Sequence, residues 1–193
     1  MTGFPPLPDR PVPGGKEVFR HHVAELLRRL GVEPDPAQHP RSQLRTELAR
    51  HQPLPEKLLV PLIATAVADP DPSFSRFSIE PALLSFGRRR VRAALLDRLR
   101  TGTNPERAGA VRAWYWTALP VAAGEDTADV NAAWHEATLR EFIGNEDLDV
   151  RRCLIPDLRL SPAEDPLVAR VIAIARAHPD SYIRHRVEVQ LGG

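Results

Sequence analysis

PEKLLVPLIATAVADPDPSFSRFSIEPALL, from Pro55 to Leu84, is the stretch that decides the fold. Leu58, Leu59, Leu62, Ile63, Ala66 and Val67 recur at three- and four-residue steps, which puts them on one face of a helix. That helix must stop at Asp69-Pro70-Asp71-Pro72. Each proline fixes φ, removes a backbone donor and pushes the residue before it out of helical geometry. Asp71 is placed to cap a second helix with Pro72 in its first position, and that helix offers Phe74, Phe77, Ile79 and Leu83 for burial. The segment reads as two helices folded back on each other.

Related bends recur. Aligned on the capping position, they are Asp71-Pro72, Asn104-Pro105, Asp147-Leu148 and Asp180-Ser181, separated by 33, 43 and 33 residues. DLDVRRCLIPDL from Asp147 and DSYIRHRVEVQL from Asp180 match closely. Both carry a β-branched fourth residue (Val150, Ile183), a fifth-place arginine (Arg151, Arg184) and a twelfth-place leucine (Leu158, Leu191). The Asn104 copy has Ala108, and the Asp71 copy Ser75, at the arginine position. Two-helix repeats of this length belong to helical solenoids.

With Pro61 in LLVPLI, the DPDP bend and the Asp-x-x-Val/Ile-Arg starts, the chain from Pro55 onward resembles the HEAT and armadillo-like superfamily. The resemblance implies an all-α, right-handed superhelix of about four helix pairs. It places Arg151 and Arg184 in contacts within the solenoid. It leaves function open, because such solenoids serve many unrelated tasks.

The pairs are expected at 55–86, 88–119, 129–160 and 163–193. Residues 16–54 form an N-terminal cap, and 16–193 form one domain. In the cap, Lys16–Leu30 is an amphipathic helix with Phe19, Val23, Leu26, Leu27 and Leu30 on one side, and Ser42 starts a short helix running to His51. Gly87 stops one helix, and Val91, Ala94, Leu95 and Leu99 form the inner stripe of the next. The second arms begin at Pro105, Leu148 and Ser181, and Pro156 should bend its arm or end it early. Residues 1–15, with five prolines and three glycines, read as a tail whose PPLP offers a polyproline ligand.

Composition narrows the function classes. The 193 residues are 42% hydrophobic and 26% charged, and no apolar run approaches the ~20 residues of a membrane span. One cysteine, Cys153, and no secretory leader give a cytoplasmic expectation. The net charge of +1 points to no partner, but its distribution is uneven. Eight arginines lie between Arg88 and Arg112, and eight acidic residues follow between Gly124 and Asp149.

Catalytic constellations are poor. His21 and His22 point apart on a helix, and His135-Glu136 lacks the second histidine of a zinc helix. Cys153, between Val150 and Leu154, reads as a packing thiol. No cofactor or metal is expected.

The expected function is protein interaction on the concave surface of the second arms, through Arg112, Trp116, Arg152 and His185. In Trp114-Tyr115-Trp116, helical phase puts Trp114 and Tyr115 near the buried face and Trp116 outside, one turn after Arg112. The bland alternative is that the loop at 120–129, or Trp134, covers Trp116. A second reading is nucleic-acid binding. Some solenoids of the resembling kind are DNA glycosylases, and Trp114, Trp116 and Trp134 beside Asp126 or Asp129 imitate their carboxylate and flanking aromatics. A third is a small-molecule or chromophore pocket near Trp116.

Overall fold

The computed structural model describes residues 14–121, 124–161 and 165–192, and among these every regular element is helical. The expected proline-rich tail lies outside the described residues as far as residue 13. The helices are α1 Gly15–Arg29, α2 Pro40–Arg50, α3 Leu59–Ala68, α4 Arg76–Phe86, α5 Arg88–Thr101, α6 Asn104–Trp114, α7 Ala128–Gly144, α8 Leu148–Leu154, α9 Pro166–Arg176 and α10 Ser181–Leu191. Short 3₁₀ turns precede α3 and follow α6.

Packing runs in steps of two. α1 lies on α3, α3 on α5, α5 on α7 and α7 on α9, while α2 lies on α4, α6 on α8 and α8 on α10. Neighbours in sequence pack as hairpins, and α3 also crosses directly onto α6. The apolar periods explain this layering: Leu58, Leu62, Ile63, Val91, Leu95 and Leu99 are fully or almost fully buried, in one contiguous core that runs from Phe19 to Val187. Pro156 ends α8 at Leu154, as its missing N–H requires, and Gly87 separates α4 from α5 at φ 79°.

Several expected helix starts move. α2 begins at Pro40, not Ser42, because proline suits the first helical position; His39 is the cap, and its Nδ1 accepts the Arg41 N–H. α4 begins at Arg76, not Pro72. Asp71 spends its carboxylate on the Ser73 N–H (3.0 Å), and its carbonyl accepts the Phe74 N–H, so two tight turns intervene. The shift changes the faces of the helix. Phe74 is exposed and Phe77 only half-buried, whereas Ile79 and Leu83 go inside.

The second bend, at Asn104, shifts by one residue. Thr103, not Asn104, caps α6, because the Glu106 carboxylate takes both its N–H and its O–H at 2.8 Å. Asp147 and Asp180 cap α8 and α10 as expected, accepting the Val150 and Ile183 N–H groups. Counted from Thr103, the fifth residue is Arg107 and not Ala108. Arg107 Nε donates to the Gly102 carbonyl (2.7 Å), Arg151 Nε to Phe142 (3.2 Å) and Arg184 Nη1 to His178 (2.6 Å). In α2 the same place holds Gln43, whose Nε2 donates to the Glu33 carbonyl at 2.9 Å. Each clasp ties a second arm back to the chain just before it.

Candidate functional site

The basic and acidic zones meet each other inside the molecule. Arg89 pairs with Asp129, its backbone N–H donates to Glu125, and Arg107 pairs with Glu141. Arg90 pairs with Glu56 and Arg98 with Glu106. Half of the arginine run therefore braces α5 and α6 against their neighbours, rather than facing outward as a band of charge.

A broad concave surface lies elsewhere, between α2 and α4. Arg41 and Arg45 stand one turn apart on α2, and Phe74 and Phe77 lie three apart at the start of the opposite arm. The Arg41 guanidinium is sandwiched, 5.1 Å from the Phe19 ring centre and 4.6 Å from that of Phe74. Arg45 sits 5.1 Å from the Phe77 ring centre. Such cation–π contacts contribute ~0.5–1 kcal/mol each at exposed sites. Buried Asp69 anchors the group: it accepts Arg41 Nε at 3.1 Å and the Asp71 N–H at 2.9 Å. The hydrogen bond from Arg41 to Asp69 holds the guanidinium pKa above its usual value, with burial opposing it. Arg41, Arg45, Phe74 and Phe77, with His39 and Arg50, line a groove of about 710 Å³.

Trp116 flanks the same arm. The helix tightens to 3₁₀ geometry at Tyr115, which rotates the phase expected for a continuous α-helix. Tyr115 is consequently 72% exposed rather than near the buried face. Trp116 is half-buried and donates from Nε1 to the Pro72 carbonyl at 2.8 Å, so the DPDP bend holds it, not Trp134. Arg76 lies 6.0 Å from its ring centre.

The other expected binding residues are placed differently. Arg152 is drawn into a largely buried ion pair with Asp180, joining α8 to the cap of α10. Arg112 is half-buried, 3.6 Å from Cys153 Sγ, and His185 is half-buried on α10. Arg112 and Arg152 thus meet around Cys153 and the α8–α10 junction, on helices that do not include the arms lining the groove. Burial pushes the Cys153 thiol pKa up, with Arg112 opposing, which keeps it protonated and suits a packing role.

A second, smaller hollow lies where α5, α7, the end of α6 and the segment after α8 converge. Trp114 and Trp134 stack there, with centroids 3.9 Å apart and planes within 3°, leaving no slot between them for a base. Trp134 Nε1 donates to Asp157 at 3.0 Å, while Asp129 is held by Arg89 and Asp126 caps the Ala128 N–H. Among the described residues, no group of three or more His, Cys, Asp or Glu is placed to hold a metal, and no helix is long and apolar enough to cross a membrane.

Sequence reasoning missed the groove, although its signal was present: Arg41 and Arg45 share a helix face, and FSRF brings two aromatics together after the bend. No family model matches the chain, and no match was found among curated proteins or solved structures.

Proposed function

We propose that the chain is a short right-handed solenoid of HEAT-like helix pairs that serves as a non-catalytic interaction module. Its second arms dock an acidic protein segment carrying apolar anchors. The packing of helices on those two places further on, with α4 reaching the α6 arm through the 3₁₀ turn after it, supports the solenoid, as does the arginine or glutamine clasp repeated in α2, α6, α8 and α10. One observation carries the docking face: a groove of about 710 Å³ in which arginines rest on phenylalanine rings. Arginine and aromatic side chains dominate interface energetics. Arg45 has no carboxylate among its described contacts, so its charge is available to an acidic ligand. Trp116 and Tyr115 extend the face beyond the bend.

Panning a displayed library of random peptides on the protein tests this. Selected peptides are expected to be rich in Asp and Glu around one or two large apolar residues. Arg45→Glu or Phe74→Ala should weaken them about tenfold, roughly 1.4 kcal/mol. Selection without acidic bias, or indifference to both changes, overturns the reading. Salt-sensitive retention of a single-stranded oligonucleotide, lost in the same two variants, would replace the peptide with nucleic acid.

A further inference from the structure

Five of the six arginines of α5 divide into two sets. Arg89, Arg90 and Arg98 find carboxylates. Arg88 and Arg92 find only neutral oxygens: Arg88 donates to the Thr117 and Leu119 carbonyls, and Arg92 to Thr117 Oγ1, Thr127 Oγ1 and Asn131 Oδ1 at 2.7–3.0 Å. These bonds use Nε and Nη1 of Arg92 and leave the two N–H groups of Nη2 without a partner among the described residues. Burial lowers the pKa of Arg92, and the charge of Arg88 lowers it further. The fold thus holds two like charges together, in partial burial, with no carboxylate paired to either among the described residues.

Arg92 lines the smaller hollow, with Asn131, His135, Thr138, Asp157 and Arg159 around it and the Trp114–Trp134 stack as a wall. Arg159 is exposed and has no ion pair or hydrogen bond among the described residues. The one carboxylate on the rim, Asp157, already accepts the Trp134 N–H. The local balance is three arginines, counting Arg88 behind Arg92, against one aspartate. The hollow measures about 100 Å³. That is well below the ~300 Å³ or more of a drug-sized ligand site.

We propose that this hollow is a binding site for a small oxyanion of the phosphate type, held by the free edge of the Arg92 guanidinium and by Arg159, with His135 as a further polar contact. Arginine is suited to this because its planar fork meets two oxygens of one anion. The size limits the occupant to an inorganic phosphate or the head of a phosphomonoester. The site is separate from the α2–α4 groove and does not depend on it.

Trp114 stacks against both the guanidinium (5.0 Å from its ring centre) and Trp134, so occupancy has an optical reporter. Tryptophan emission and thermal melting of the full chain are followed while inorganic phosphate, methyl phosphate, acetate or chloride is added at matched ionic strength. The expected result is a saturable emission change with phosphate, and a raised melting temperature, neither given by chloride. Methyl phosphate matching phosphate identifies a phosphomonoester head as an acceptable source; phosphate alone identifies the free ion. Arg159→Gln, on the exposed rim, should keep the fold and weaken binding about tenfold, and Asn131→Asp, which sets a carboxylate against Arg92, should abolish it. The proposal is overturned if phosphate acts no differently from chloride or acetate. It is overturned equally if folded Arg159→Gln and Asn131→Asp variants bind as the wild type does.

Discussion

At Gly109 the backbone of α6 comes against the end of α3 so closely that a Cβ would lie 2.1 Å from the Val67 carbonyl oxygen and 2.9 Å from Val67 Cγ1. The neighbouring Ala108, Ala110 and Ala113 are all buried, so this face of α6 is built from small side chains. Replacing glycine by alanine inside a helix ordinarily gains up to ~1 kcal/mol. Here the added methyl meets backbone, and overpacking of that kind costs ~1–3 kcal/mol or more. Gly109→Ala is therefore expected to destabilise the protein by about 2 kcal/mol in urea unfolding, the net of those two effects. Gly144→Ala, at the end of α7 with nothing within 4 Å of its Cβ, is the control and should be neutral or slightly stabilising. The run of small residues was legible in ERAGAVRA, but the partner it admits was not, because α3 lies some forty residues earlier. The arginine register was legible too. Thr103-x-x-Glu106 is a capping box, and it competed with the Asn104-Pro105 resemblance to Asp71-Pro72. Two hydrogen bonds from Thr103 decided it.

The α9–α10 hairpin concentrates charge at its bend. Asp180 caps α10, pairs with Arg152 from the preceding second arm, and donates its N–H to His178 Nδ1 at 3.0 Å. Burial raises the Asp180 pKa, but the Arg152 hydrogen bond, the Ile183 N–H and the Arg152 charge outweigh it, so the carboxyl lies below its ordinary 3.8. The His178 pKa is lowered from 6.5, first by burial and then by Arg151, with Arg184 and Arg152 adding to it and Asp180 opposing. A histidine whose folded pKa is depressed stabilises the fold fully above its unfolded value and loses that contribution as pH falls through the folded one. Stability should thus fall as pH drops below 6.5, then fall again in the more acid range below 3.8 where Asp180 takes up its proton. His178→Asn keeps an oxygen able to accept the Asp180 N–H but removes the titration. Urea unfolding of this variant should show a shallower slope below pH 6.5, where His22, also depressed by burial, keeps its own share, with the Asp180 step retained. An unchanged slope would assign it to other groups. The repeat pattern gave both Asp caps in advance, but not the role of Arg152. Its neighbour Arg151 was expected to contact the solenoid, whereas Arg152 carries the link between arms.

Across the molecule, opposite charges adjacent in sequence cancel in space: α5 presents arginines to the acidic start of α7, and Arg107 of α6 reaches Glu141 near the end of α7. Composition disclosed two zones, but whether they faced outward or each other depended on hairpin geometry that a linear pattern does not encode. The order of packing has a thermodynamic consequence. α3 contacts α1, α4, α5 and α6, whereas α10 rests on α8 and α9 alone. In a solenoid of the kind proposed, stability is approximately a sum of unit and nearest-neighbour contributions, so the ends open at lower free energy than the middle. Native-state hydrogen exchange should follow that gradient. Buried amides of α3, α5 and α6 are expected to be protected about a hundredfold more than those of α10, a difference of roughly 2.7 kcal/mol. Amides of α2, at the other end, should also exchange early. A molecule organised around one closed bundle would instead unfold as a unit, and its buried amides would share a single opening free energy. Uniform protection from α1 to α10 would therefore remove the stacked architecture, and with it the grouping of α2 and α4 into one docking face.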